Sequence, residues 1–290
     1  MAVVPIFLAL VASTGSVASV ASVDECRPPK GSSEAKLLAF FAAPIAFSPA
    51  GHAERLAPGA VRFSFDITYV PKPAVSIRRS SVCENKGENT ALSPVFPRPR
   101  LAVGLPGGFF LEGSYLPPIT VLDATPNLGS VALGWTRTLS GSDEGVGAWL
   151  TLRTHATFGK VKGPITCSSD ALQSTAINQP CYGNTPSDDT YEPNMLGAEG
   201  MLGWSGSGRF AGYVGAGYTS IKPRFQVNFT SLQGNLDNTK VLLDDSRIAA
   251  FAGGRYRVGG RINLTGELYS VPKDVTTVRV GASFMLRSAR

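Results

Sequence analysis

The sequence predicts a single, all-β antiparallel barrel of about ten strands, with eight to twelve fitting the pattern. Three observations carry it: alternation of apolar and polar residues with a period of two, connections that run long and then short, and a glycine-rich, charge-poor composition. Strands so patterned have one oily and one wet side, and an even number of them returns both chain ends to the same rim.

The alternation is sharpest at the end of the chain. Thr276, Val278, Val280, Ala282, Phe284 and Leu286 share one face, while Thr277, Arg279, Gly281, Ser283 and Arg287 share the other. Residues 261–269 set Ile262, Leu264 and Leu268 against Arg261, Asn263, Thr265 and Glu267. Residues 61–70 set Val61, Phe63, Phe65, Ile67 and Tyr69 against Arg62, Ser64, Asp66 and Thr68. In residues 148–158, Leu150, Leu152 and Phe158 oppose Thr151, Arg153 and His155. More glycine-rich versions occupy 100–106, 109–117, 129–139, 195–205, 209–221 and 247–257, completing ten strands.

A soluble sandwich also has one polar face, so the connections decide. The long ones are 71–98, 118–128, 159–194 and 222–246; the short ones include Gly107-Gly108, 140–145, Gly206–Gly208 and Val258-Gly259. The 271–274 turn is short where a long loop is due. Tyr69, Tyr115, Trp135, Trp204, Tyr218 and Tyr256 fall near strand ends, where interfacial aromatic girdles belong. No stretch past the N-terminus reaches the roughly 18 apolar residues of a membrane helix; the longest, Leu37 to Ala43, meets Pro44.

Residues 1–21 have the short apolar run and small-residue stretch of a signal peptide, with Ala18 and Ala21 suited to cleavage, although no Lys or Arg precedes the run. Residues 22–59 then form a segment ahead of a barrel spanning 60–290. Within the segment, Ser33 to Ala43 is expected to be a short helix, with Leu37, Phe40 and Phe41 on one face and Pro44 as its stop. Its role is a periplasmic strap or a lumen plug.

The four cysteines of an exported chain are compatible with two disulfides. Cys167 and Cys181 bracket a polar segment like a stapled loop. If Cys26 pairs with Cys83, the N-terminal segment must reach an outer loop, most simply through the barrel interior; spacing alone does not fix connectivity. No close pairs suit a zinc site.

Together, the signal-like start, the strand pattern, the loop asymmetry and the final Ala282-Ser283-Phe284-Met285-Leu286 resemble the broad class of bacterial outer-membrane β-barrel proteins. The resemblance covers most of the mature chain but identifies no particular family. It implies a transmembrane barrel in the outer membrane, with short periplasmic turns and long extracellular loops. Such barrels usually finish on an aromatic residue, whereas Arg287 to Arg290 follow Leu286 here.

Catalytic signals are weak, so no enzyme and no cofactor is expected. His52 lies ahead of the barrel, and His155 faces inward with no obvious Ser nucleophile, which reads as a hydrogen-bonded lumen residue. Asp188-Asp189 and Asp244-Asp245 read as solvated loop pairs, and no metal is expected. The net charge of +6 comes without a basic helix or RNA-binding motif, so the expected partners are lipid and small anions, not nucleic acid.

The inward arginines sharpen this. Arg62, Arg255, Arg257, Arg261 and Arg287 should converge near the periplasmic mouth, and with Arg153 and Arg279 they outnumber Asp66, Glu112, Glu199 and Glu267. A narrow conduit or binding barrel preferring anionic solutes follows. The alternatives are a structural or surface-interaction barrel working through its long loops and, less favoured, a soluble secreted β-sandwich. A charge at lipid-facing Val280 should do far more harm than a change at Arg279.

Overall fold

A computed structural model describes residues 25–51, 55–79, 82–83, 94–121, 123–141, 146–206, 208–259 and 262–287. The proposed signal peptide, His52 and Arg261 lie outside the described residues.

Ten long strands form the wall: β1 (Val61–Tyr69), β2 (Val95–Gly104), β3 (Phe109–Leu116), β4 (Thr125–Gly141), β5 (Gly147–Gly163), β6 (Met195–Ser205), β7 (Phe210–Ile221), β8 (Asp245–Val258), β9 (Ile262–Val271) and β10 (Val275–Arg287). Each pairs antiparallel with its sequence neighbours. The ring closes because β10 pairs with β1, from Val278 opposite Tyr69 to Arg287 opposite Val61. Closure leaves no exposed edge among these ten, which a sheet in hydrocarbon requires.

The facing follows the sequence pattern. Leu152 and Val280 are 49% and 55% exposed on the outside, whereas Thr151 and Arg279 are 3% and 1% exposed inside. Outward aromatics gather at the two rims: Tyr69, Tyr115 and Tyr218 toward the long loops, Trp135, Trp204 and Tyr256 toward the short turns.

Three boundaries differ from expectation. β2 begins at Val95, not residue 100, and carries Pro97 and Pro99 within it. β5 runs to Gly163, so the following loop starts later than expected. A bulge between Met285 and Arg287 breaks strict alternation at the end of β10.

The long loops are not featureless. Asp189–Glu192, Arg224–Gln226 and Lys240–Leu242 form short strands that extend the upper end of β5 sideways, and Glu25–Cys26 adds in parallel to the last of them. Beside this shelf, Cys167 bonds Cys181, and Cys167 and Cys181 pack with Val227 and Phe229 in a small core of their own. Asp189 is fully buried and accepts from Thr166 N and Oγ1, Ser187 Oγ and Asn228 N. Expected to be solvated, it instead ties three loop segments together, because four donors replace the water it gives up. Asp188 pairs with Lys162 at the surface. Asp244 accepts from Arg27 and Arg224, and the Arg224 hydrogen bond holds its carboxyl below the ordinary carboxylate range.

Helix α1 (Ser33–Ile45) lies inside the barrel. Ser32 Oγ caps it by accepting from Ala35 N at 3.2 Å. The helix continues through Pro44 to Ile45, because Pro44 enters only its last turn. Burial is nearly all round, from Ala35 and Leu38 to Ala43, so α1 behaves as a core helix and not as the one-sided helix its spacing suggests. Cys26 bonds Cys83 in the β1–β2 connection at the long-loop rim. At the opposite rim, Leu56 packs on Ala102 and Phe110, and Gly59 N donates to Gly104 O. The described residues 25–51 and 55–60 therefore reach from one rim of the lumen to the other.

Candidate functional site: the arginine cage around residues 45–51

Beyond α1 the chain crosses mid-barrel in extended form, and lumen side chains take its carbonyls in turn. From β2, Arg98 donates to Ile45 O at 2.7 Å and Ala46 O at 2.9 Å, and Arg100 donates to Ser48 O at 2.9 Å. From β5, Arg153 donates to Phe47 O. From β10, Arg279 donates to Ser48 Oγ and Pro49 O. On β7, Tyr213 Oη accepts from Gly51 N at 3.1 Å and donates to Glu267 at 2.8 Å.

Carboxylates complete the cage. Arg100 pairs with Asp66 at 2.5 Å and Glu112 at 3.4 Å; Arg153 bridges Glu112 at 3.0 Å and Glu199 at 3.1 Å; Arg279 pairs with Glu267 at 3.1 Å. Phe47 is fully buried at the centre. The guanidinium carbons of Arg100 and Arg153 lie 4.7 Å from its ring centroid and that of Arg98 5.5 Å. Arg279 stacks 4.2 Å over Tyr269.

The physical logic is one of charge. Inward arginines exceed inward carboxylates, and an excess buried cation is costly unless its donors find acceptors. Main-chain carbonyls and the face of Phe47 supply acceptors without adding charge. The segment thus neutralises the wall by dipoles.

Of the arginines singled out by sequence, Arg153 and Arg279 belong to this cage. Arg62 and Arg255 border a small pocket directly below it, which Arg153 and Glu112 of the cage, Gly51 and Asn263 also line. Arg257 is half-buried one inward position nearer the rim. Arg261 is outside the described residues. Arg287 is not a lumen residue: the bulge sets it opposite Val61, on the face of Phe63 and Phe65, where it is exposed. His155 does face inward, with Nε2 3.5 Å from Glu199, but neither ring nitrogen has a hydrogen-bond partner among the described residues.

Arg98, Arg100, Phe47 and Ser48 were missed by sequence reasoning. Pro97 and Pro99 make the start of β2 read as loop, although a proline is tolerated in a strand where no rung needs its N–H. The signal was present as arginine alternating with them, at positions 98 and 100. Among the described residues no group of His, Cys, Asp and Glu is arranged to hold a metal.

No protein-family model matches this chain, and no curated protein does. Solved structures that match include Ail, the attachment invasion locus protein of Yersinia pestis, at 8% identity over 79% of this chain and 100% of that one, with a TM-score of 0.31. Neisserial surface protein A matches at 9% over 78% and 95%, with 0.30. A de novo designed transmembrane β-barrel matches at 12% over 80% and 99%, with 0.27. The fold assignment rests on this chain's own ladder. A closed meander of ten strands, oily outside, charged within, girdled by aromatics and looped long at one rim only, is built as a bacterial outer-membrane β-barrel.

Proposed function

We propose that this protein resides in the outer membrane as a barrel closed by its own N-terminal segment, and that it works through the loop layer at its extracellular rim. On this reading residues 1–21 are a signal peptide, 22–59 supply the plug and 60–290 the barrel. The observation that carries it is the cage: Arg98, Arg100, Arg153 and Arg279, which would otherwise line an anion path, are each engaged by residues 45–49 or by wall carboxylates, although Arg153 Nε and Arg279 Nε and Nη2 have no hydrogen-bond partner among the described residues. The extracellular layer is also held more firmly than a set of free loops, by two disulfides and the buried Asp189. A rigid shelf of this kind suits surface interaction.

Recording from planar bilayers tests the closed lumen. The unmodified protein is expected to give no steady conductance, and a steady conductance of either selectivity refutes the proposal.

A second reading keeps the preference for small anions but limits it to binding. The pocket bordered by Arg62, Arg255 and Asn263 opens below the cage, and there a small anion would meet guanidinium groups without crossing the barrel. Anion titration followed by tryptophan fluorescence or calorimetry is expected to lose its signal in Arg62→Gln/Arg255→Gln. An unchanged signal removes this reading.

A further inference from the structure

The wall has one incomplete seam. β2 and β3 are joined by four rungs, from Leu101 opposite Gly113 to Gly104 opposite Phe110. Above them no rung joins Phe96–Arg100 to β3, although β3 continues to Leu116 and keeps its pairing with β4 to the end. By contrast, β1 and β2 are joined without a break from Val61 to Tyr69.

Proline chemistry explains the asymmetry. The β1–β2 ladder passes through Pro97 opposite Ile67 and Pro99 opposite Phe65. A proline can stand in an unbroken antiparallel ladder only at a position that donates nothing to that neighbour. The missing N–H groups of Pro97 and Pro99 therefore face β3. Continuing the β2–β3 register would bring Pro97 opposite Pro117, with Pro118 next, so the other side of the seam ends in prolines too.

Directly at this seam lies a narrow pocket, open on one side, whose described lining is almost entirely apolar. Its walls come from both sides of the barrel. Val95 and Pro97 share the outward face of β2, whereas Phe96 and Leu116 face inward and Phe41 and Ile45 belong to α1 within the lumen. A pocket lined by both faces of one sheet passes through that sheet.

We propose that the β2–β3 seam is a lateral portal through which one acyl chain of a membrane lipid inserts from the bilayer into the space between the wall and α1. The occupant follows from the surroundings. On the outward face the mouth lies level with Tyr69, opposite Val95, and near Tyr115, with exposed Leu101 and Leu111 further down the wall, so it opens at the bilayer interface with hydrocarbon below it. No charged side chain is among the described residues that line the pocket, so a headgroup finds no partner there, and the lipid keeps its headgroup at the long-loop rim. The site lies above the arginine cage, so occupancy does not require the lumen to open, and the proposal stands or falls apart from the function proposed above.

The test uses the full-length protein in nanodiscs containing phosphatidylethanolamine with a diazirine near the end of one acyl chain. After photolysis, adducts are mapped by peptide mass spectrometry. Adducts on Phe41, Pro44 or Ile45 are expected, because α1 is screened from bulk lipid everywhere else. Adducts confined to outward residues such as Leu133, Leu268 and Val280 overturn the proposal. Pro97→Ala/Pro99→Ala restores donors toward β3 and is expected to abolish α1 labelling while outward labelling persists; undiminished α1 labelling in that variant rules out the seam as the route. In unlabelled nanodiscs, a diazirine fatty acid added from water that labels α1 where the phospholipid does not would overturn the membrane lipid as source.

Discussion

Replacing Phe47 with alanine tests how the plug is held. The side chain is fully buried and faces three guanidinium groups at 4.7 to 5.5 Å. Truncating a buried phenylalanine costs about 3–5 kcal/mol, and desolvated cation–π contacts of about 0.5–2 kcal/mol each push toward the upper end, without adding fully. The β-ladder does not pass through Phe47, so the loss falls on docking of residues 33–51 and not on the wall. A loss of about 4 kcal/mol corresponds to roughly a thousandfold in the opening equilibrium. Amide hydrogen exchange in nanodiscs is the assay. Protection across α1 is expected to fall by that order, while the amides shared by β10 and β1 keep theirs. The plug remains tethered by Cys26–Cys83 and by its continuity with β1, so brief conductance bursts are expected in place of a permanent channel. Unchanged exchange in α1 would refute the assignment of Phe47 as the central anchor.

Three further predictions concern the wall and rim. Val280→Arg places a charge on the lipid face and is expected to cost about 2–4 kcal/mol, but Arg279→Ala is now expected to be as harmful, about 3–5 kcal/mol, because it strands buried Glu267; urea titration of vesicle-folded protein compares them, and a silent Arg279→Ala would contradict the cage. Reducing Cys167–Cys181, a link closing about fifteen residues and adding about 3 kcal/mol in the chain-entropy view, should expose residues 164–188 to protease while heat-modifiable migration on gels is retained; loss of that migration would show the loop to be part of the barrel's own stability. Gly104→Val should reduce folded yield, since even a Cβ there would sit 2.2 Å from Ala57 O, where the chain leaves the lumen for β1; normal yield would mean that this crossing is loosely packed.

How far the sequence could be read depended on whether a residue's partners lay along the strand or across the lumen. Alternation in β1, β5, β9 and β10 is a local property, so Phe65, Leu152 and Val280 could be set outward and Thr151, Glu267 and Arg279 inward from spacing alone. Whether an inward arginine meets water or a partner is not local. Arg153 finds Phe47 more than a hundred residues away, and nothing near either residue announces it. Arg287 failed for a different reason, since one inserted residue in a bulge reverses facing without altering the composition of the strand. Helix α1 was found by the spacing of Leu37, Phe40 and Phe41 and by its proline, yet its all-round burial was obscured because alanine, frequent in it, marks no face.

The course of residues 25–60 also bears on the order of assembly. With Cys26 and Cys83 joined, the plug and β1 form one covalent strap fastened at both rims, down the inside and up the wall. A strap fastened at both ends cannot move from outside to inside of a completed ring, so where the disulfide forms first the segment must already be inside when β10 meets β1. Strands β2, β5, β7 and β10 are separate in sequence, yet each touches residues 45–51. The segment therefore acts as a mandrel: a common axis on which strands far apart around the circumference are gauged before the circle closes.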